Sequence, residues 1–257
     1  MPLITFLSDF GYTDHYVAAV KANILKVSPQ AHILDISHHI DPFNIAHGYY
    51  VLQAVYREFP EGTVHLVAVD SQGSAEGRYH ALKFNNHYFV ATDNGILSLL
   101  TESRPEVMVA LSTNGPAAHP GKEILAPAAA FLAQGGDIRE LGPETNQMRE
   151  LLNRQLRLSD HAITGHIIHV DHYGNLITNI SQDSIDAIGH GRPLTIRFAR
   201  ETVDRISPSF NAADEGDCVC VFTSGGYLTI GINKGNAAEL LGLYFDSRVD
   251  INFYPVT

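Results

Sequence analysis

Basic residues are scarce: 17 Lys and Arg stand against 28 Asp and Glu, a formal net charge of −11. A surface that tracks nucleic-acid phosphates needs clustered Lys and Arg, so no nucleic-acid partner is expected. A cationic small ligand suits the balance. Cysteine is scarcer still, with Cys218 and Cys220 only. Two positions apart on a strand they point the same way, where a bridge would be strained. They read as reduced structural thiols of a cytoplasmic protein. No apolar run is long enough to cross a bilayer. The opening MPLITFLSDFG has no basic segment and too short an apolar run for a signal peptide. A soluble intracellular protein without membrane attachment is expected.

The usual chemical cradles are also missing. There is no G-x-G-x-x-G after the first strand, no G-x-x-x-x-G-K-[ST] and no G-x-S-x-G, and neither cysteine has the surroundings of a nucleophile. Histidines number 14, yet His161, His166, His169 and His172 lack the spacing of a helical ligand pair. On a strand His166 and His172 face one way, and His169 and Asp171 the other. No metal site and no bound cofactor are expected.

What is present is a globular composition, 45% apolar and 18% charged over 257 residues, enough for one large domain or two modest ones. Leu3–Ser8 reads as a buried strand, Tyr16–Val27 as a helix with Val17, Val20, Ile24 and Leu25 on its core side. Ala31–Ser37 and Thr63–Val69 follow as strands around a helix over Asn44–Phe59. Tyr79–Phe84 and Tyr88–Ala91 precede the Asp93-Asn94-Gly95 turn. Ile124–Gln134 is a small-residue helix, with Pro127 tolerated in its first turn. This alternation implies an α/β domain with a mostly parallel sheet over residues 1–145. A polar connection spans 146–161. From 162 to 257 short strands broken by Gly, Asn and Pro imply a small antiparallel barrel or sandwich.

Ligands of parallel sheets sit beyond the carboxyl ends of the strands, and Asp9 and Asp70 occupy such ends. Four polar segments are expected to converge on one small-molecule site between the domains: 8–16, 69–79, 166–181 and 223–236. Bland readings stand beside this one. Asp9 or Asp14 could cap the next helix, Asp70 and Arg78 could form a surface ion pair, and Asn175 and Asn179 could be turn formers after Gly174.

Seven segments, taken in order, carry a resemblance: SDFGYTDHYVAAVKANIL, DISHHIDPFNIAHGYYVL, VAVDSQGSAEGRY, FVATDNGILSLL, GKEILAPAAAFLA, HVDHYGNLITNI and SGGYLTIGINKGNAAELL. The chain resembles the S-adenosyl-L-methionine hydrolases, or SAM hydroxide adenosyltransferases, relatives of the SAM-dependent fluorinase and chlorinase. The resemblance implies a Rossmann-like N-terminal domain, a C-terminal β-barrel, and a homotrimer with active sites at subunit interfaces. It implies hydrolysis of SAM, as substrate and not cofactor, to adenosine and methionine by attack of water on C5′. Asp70, Arg78 and His119 would surround that water. Asp9 would bind the ribose hydroxyls and Phe43 would line the ribose pocket. Asn175 and Phe210 would hold adenine, helped by backbone near Asn233 and Lys234, while Asp171 and Ser224 would meet the methionine end.

The sequence departs from the family pattern in places. D-P-G-V-G-T is here D-S-Q-G-S-A, the Asp-to-Arg spacing is one residue longer, and Pro120 separates His119 from the glycine it normally precedes. A protein that binds adenosine or SAM without turning it over is therefore the alternative. A halogenase is disfavoured, because a carboxylate at Asp70 repels a halide.

Overall fold

A computed structural model describes residues 2–72, 76–101, 103–113, 117–152 and 154–255. Gly73, Ser74 and Ala75, which close the D-S-Q-G-S-A segment, lie outside the described residues. The chain divides into two compact units, Met1–Leu152 and Asn153–Thr257, so the division falls inside the 146–161 stretch. Part of that stretch is well tied: Leu151 N–H donates to Ser98 Oγ at 2.9 Å, and Arg157–Ser159 is a strand.

The first unit is built on β1 (Leu3–Ser8), β2 (His32–Ser37), β3 (Val64–Ala68), β4 (Tyr79–Phe84), β5 (His87–Thr92) and β6 (Val107–Ala110), in the order β2-β1-β3-β5-β4-β6. β1, β2, β3 and β5 run parallel, and β4 runs against both its neighbours. Both faces are covered, which explains why LITFLS and VHLVA are nearly continuous apolar runs. On one face Ile4, Phe6 and Leu66 pack against α1 (Tyr16–Val27) and α4 (Ala126–Ala133). On the other, Leu7, Val67 and Val69 meet α2 (Ile45–Val55) and α3 (Ile96–Leu100). Each such fully buried aliphatic side chain contributes roughly 1.5–3 kcal/mol.

Three polar residues inside the sheet partner one another. Thr5 Oγ1 lies 2.7 Å from His65 Nδ1, and His65 Nε2 lies 3.1 Å from His87 Nδ1. Burial, with His87 adding to it, pushes the His65 pKa down to about 3, so the ring is neutral at ordinary pH.

Two details differ from expectation. Leu25 is 43% exposed, so the core side of α1 is Val17, Val20 and Ile24. The helix before Gly135 also begins earlier than Ile124, with a π turn over Gly121–Leu125. Pro127 is the second residue of the regular helix α4, in its first turn as expected. Its missing N–H falls where the ladder has widened, Ala126 N–H reaching back to Gly121 O, and a widened turn relieves the ring's clash with the preceding carbonyls.

The second unit is all antiparallel apart from α5 (Gln182–Gly189) and α6 (Ala237–Leu241). Its strands are β7 (Arg157–Ser159), β8 (Ala162–Val170), β9 (Leu176–Ser181), β10 (Leu194–Phe198), β11 (Glu201–Val203), β12 (Cys218–Phe222), β13 (Tyr227–Ile232) and β14 (Arg248–Phe253). They follow the order β11-β10-β14-β8-β9-β13-β12, with β7 beside β8. The long β8 serves two stretches of sheet, pairing β14 through its first half and β9 through its second. Ser207 N–H donates to Cys220 O at 2.7 Å. That bond ties the chain after β11 to β12 and leaves a nearly closed barrel around Ile163, Ile180, Ile196, Leu228 and Ile251. Cys218 and Cys220 are unpaired. Burial raises both thiols, Cys220 to about 12, so neither is a ready thiolate.

Candidate active site

The sheet order of the first unit reverses direction between β1 and β3, where crossovers leave to opposite sides. A crevice opens beyond the strand ends at such a switch point. Ser8 pairs with Ala68 in register, so the residues that follow, Asp9 and Val69-Asp70, emerge side by side. Asp9 Oδ2 accepts two backbone N–H bonds, from Phe43 at 2.9 Å and from Asp70 at 3.1 Å. Both donors have left-handed backbones, φ 64° at Phe43 and 45° at Asp70. Non-glycine residues in that region cost of order 1–3 kcal/mol each and persist only where neighbours hold them. One carboxylate oxygen therefore fixes two strained turns, one from each side of the crevice.

The Asp9 loop is itself anchored. His38 is fully buried, with Nδ1 2.6 Å from Ser8 Oγ and Nε2 3.2 Å from Asp35 Oδ1. Its carbonyl accepts from Gly11 N–H at 2.7 Å. Burial depresses the His38 pKa, against the opposing pull of Asp35. A neutral ring can accept from Ser8 on one side and keep its other nitrogen beside the Asp35 carboxylate.

A cavity of about 480 Å³ lies over this crevice, lined by Asp9, Phe43, Asp70 and His119 among others. That volume is in the range of small-ligand sites. The Asp70 carboxyl is pushed above the ordinary carboxylate range, first by burial and then by the Asp9 charge, with Arg149 opposing. His119 is exposed and precedes the π turn, its carbonyl accepting from Lys122 N–H and Glu123 N–H. Gln72 Nε2 donates to Ala118 O at 2.8 Å, linking the Asp70 loop to the His119 loop. The one-residue displacement of His119 thus still leaves it on the same cavity as Asp70.

Arg78 is placed differently. Its Nε lies 3.4 Å from Asp93 Oδ2 and its Nη2 3.1 Å from Glu76 Oε2, and it is not among the residues that line the cavity. Asp93, 4% exposed, also accepts from Arg149 N–H at 2.6 Å. The structure brings together Asp9, Phe43, Asp70 and His119, and leaves Arg78 outside that group.

In the second unit Asp171 closes a tight turn. Its Oδ1 accepts from Tyr173 N–H and Asn175 N–H, and its Oδ2 accepts from Asn175 Nδ2 at 2.9 Å. Asn175, 9% exposed, is thereby oriented. A Cβ on Gly231 would stand 2.6 Å from the Phe210 ring and 2.8 Å from Asn175 Oδ1. The glycine is what lets an aromatic face and an amide oxygen meet over the strand. Asn233 Nδ2 donates to Ala213 O at 2.8 Å, and Lys234 pairs with Glu215, so the turn after β13 braces the chain that follows Phe210. Asn175 and Phe210 thus form one patch over Gly231, with Asp171 behind Asn175, while Asn233 and Lys234 follow directly after β13. Ser224 sits in the β12–β13 hairpin, at the other end of β13 from Gly231.

Phe10, His15, Tyr16 and Gln72 line the cavity within the segments 8–16 and 69–79 expected at the site, though the sequence singles out none of them, and Lys122 lies outside those segments. Phe10 and Tyr16 lie 5.9 Å apart as tilted rings, and the aromatic-rich run FGYTDHY was the available signal. Asn94 was read only as a turn residue. Among the described residues no group of three His, Cys, Asp or Glu side chains could hold a metal, and no helix is long and apolar enough to cross a membrane.

Residues 4–142 match the model of the SAM hydroxide adenosyltransferase N-terminal domain, and residues 165–250 that of its C-terminal domain. The chain is 32% identical to an (R)-S-adenosyl-L-methionine hydrolase of Thermus thermophilus, covering 93% of this chain and 95% of that one. It is 27% identical to a fluorinase of Nocardia brasiliensis over 92% of each. A crystal structure of an uncharacterised conserved protein from Thermotoga maritima superposes with a TM-score of 0.88 at 29% identity, covering 97% of this chain and 99% of that one.

Proposed function

Because the chain belongs to the SAM hydroxide adenosyltransferase family, we propose that it hydrolyses S-adenosyl-L-methionine to adenosine and L-methionine. The observation that carries this reading is the pair of carboxylates at the switch point. Asp9 is fixed by two backbone donors and Asp70 faces the same cavity with a raised pKa. A carboxylate whose affinity for a proton is raised is a better proton acceptor for water.

In the proposed step a water oxygen bonds to C5′ while the C5′–S bond breaks, its electron pair going to sulfur. The sulfonium leaves as the neutral thioether of methionine, so no general acid is needed. The proton lost from water passes to Asp70 and then to solvent, with His119 beside the water. Asp9 keeps one oxygen for the ribose hydroxyls, and Phe43 lines the ribose. Adenine is held by Asn175 and stacked by Phe210, with the Asn233–Lys234 backbone beside it. Asp171 works by aiming Asn175 as well as at the methionine end, which Ser224 shares. Arg78 contributes from outside the cavity through Asp93. No cofactor enters the scheme. Two carboxylates in the cavity repel a halide, which disfavours halogenation.

A homotrimer whose active sites are completed by neighbouring subunits is part of the proposal, as is a cytoplasmic setting, which suits two unpaired thiols. The test of function is incubation of the purified protein with SAM, followed by chromatography. Adenosine and methionine should appear in equal amounts, and Asp70→Ala should abolish both while still binding adenosine. The placement of Arg78 favours one rival, an adenosine or SAM binder without turnover. Tight binding of SAM with no products would establish that rival.

A further inference from the structure

We propose that Asn94 is a positioning residue that aims the Asp70 carboxyl into the cavity, with Thr92 steadying the next peptide. This rests on the hydrolytic reading of the same site. β3 ends at Ala68 and the chain turns at Asp70, where the left-handed backbone is one that a non-glycine residue keeps only when its neighbours hold it. Here both flanking peptides are held. The Asp70 N–H is taken by Asp9 Oδ2. The carbonyls of Val69 and Asp70 both accept from Asn94 Nδ2, at 2.8 and 3.2 Å. One residue on, Ser71 O accepts from Thr92 Oγ1 at 2.8 Å.

Asn94 and Thr92 are each 1% exposed, and neither lines the cavity. The chemistry of the site selects asparagine. A short amide can bridge two successive carbonyls with one NH2 group, and its oxygen is occupied separately, accepting from Ile96 N–H at 3.2 Å. That second bond fixes which end of the amide faces the carbonyls. Aspartate would present an oxygen to two carbonyl oxygens, and an aliphatic residue would leave both without their donor. The Asn94 backbone is steadied in turn by Asp93, which holds Arg149 N–H and the Arg78 guanidinium. Arg78 therefore has a route to Asp70 that does not pass through the cavity: Arg78 to Asp93, Asp93 to Asn94, Asn94 to the peptides around Asp70.

The test uses Asn94→Ala and Thr92→Val in the full chain. Crystal structures are compared with the wild type, and kcat for SAM is measured beside the Kd for adenosine. In both variants the Asp70 carboxyl should move by about 1 Å or more relative to Asp9. The value of kcat should fall about 10- to 100-fold while the adenosine Kd stays within about threefold, since misplacement affects the reacting step and spares ground-state binding. Thr92→Val preserves the shape of the side chain, so it gives a folded protein even where Asn94→Ala does not. An Asp70 carboxyl that stays in place in the folded variants, or an unchanged kcat with the carboxyl displaced, overturns the proposal. Absence of methionine release by the wild type would overturn the hydrolytic reading instead, and the crystallographic comparison would still decide the positioning role.

Discussion

Asp9 and Asp70 share a cavity but do different work, and the difference lies in where their lone pairs go. Asp9 gives one oxygen to two backbone N–H groups, so its carboxyl group is held in place as a hydrogen-bond acceptor. Asp70 is held through its backbone, and its carboxyl is lifted by burial and by Asp9. A carboxyl whose folded pKa exceeds its unfolded value binds protons more readily when folded, so its contribution to stability improves as pH falls and is unfavourable at neutral pH. Asp70→Asn should therefore lower kcat by about 100-fold or more, the scale of a lost general base, while raising the neutral-pH melting temperature. The stability gain should shrink as pH falls through the raised pKa. The wild-type kcat profile should lose activity on its acid side above the ordinary carboxylate range. A melting temperature that falls in the variant would contradict this electrostatic account. At this scale the sequence was partly legible. Acids at strand ends can be found from pattern, but left-handed φ at Phe43 and Asp70 and the Asn94 clamp depend on residues far apart in the chain.

Elements were legible where local periodicity decides them. The α1 helix has the bounds its spacing predicts, Tyr16–Val27, because Val17, Val20 and Ile24 repeat at helical intervals before Ser28-Pro29. The start of the helical stretch before Pro127 is not legible because ILAPAAAFLA is apolar on nearly every side, and no periodicity marks the π turn over Gly121–Leu125. In the barrel, Gly231 carries a site feature that no composition reveals. It lies mid-strand and owes its identity to the Phe210 ring and the Asn175 oxygen above it. Gly231→Val should displace that ring and amide and weaken adenosine binding by about tenfold or more, the equivalent of about 1.4 kcal/mol. Isothermal titration reads this directly, and an unchanged affinity would remove the patch from adenine recognition.

For the whole molecule, the sequence showed two kinds of architecture because the hydrophobic period changes from mixed strand and helix to strand alone, and the two compact units reflect that change. Association between chains leaves no such mark in a single sequence. Sedimentation equilibrium should give three times the chain mass of 28.1 kDa, and a single-chain mass under assay conditions would remove the proposed completion of sites between subunits. The central claim concerns one bond, from a water oxygen to C5′. Running the SAM incubation in ¹⁸O-enriched water and analysing products by mass spectrometry tests it most directly. Adenosine should carry one heavy oxygen at its 5′-hydroxyl and methionine none; unlabelled adenosine, or label in the amino-acid product, would contradict the mechanism.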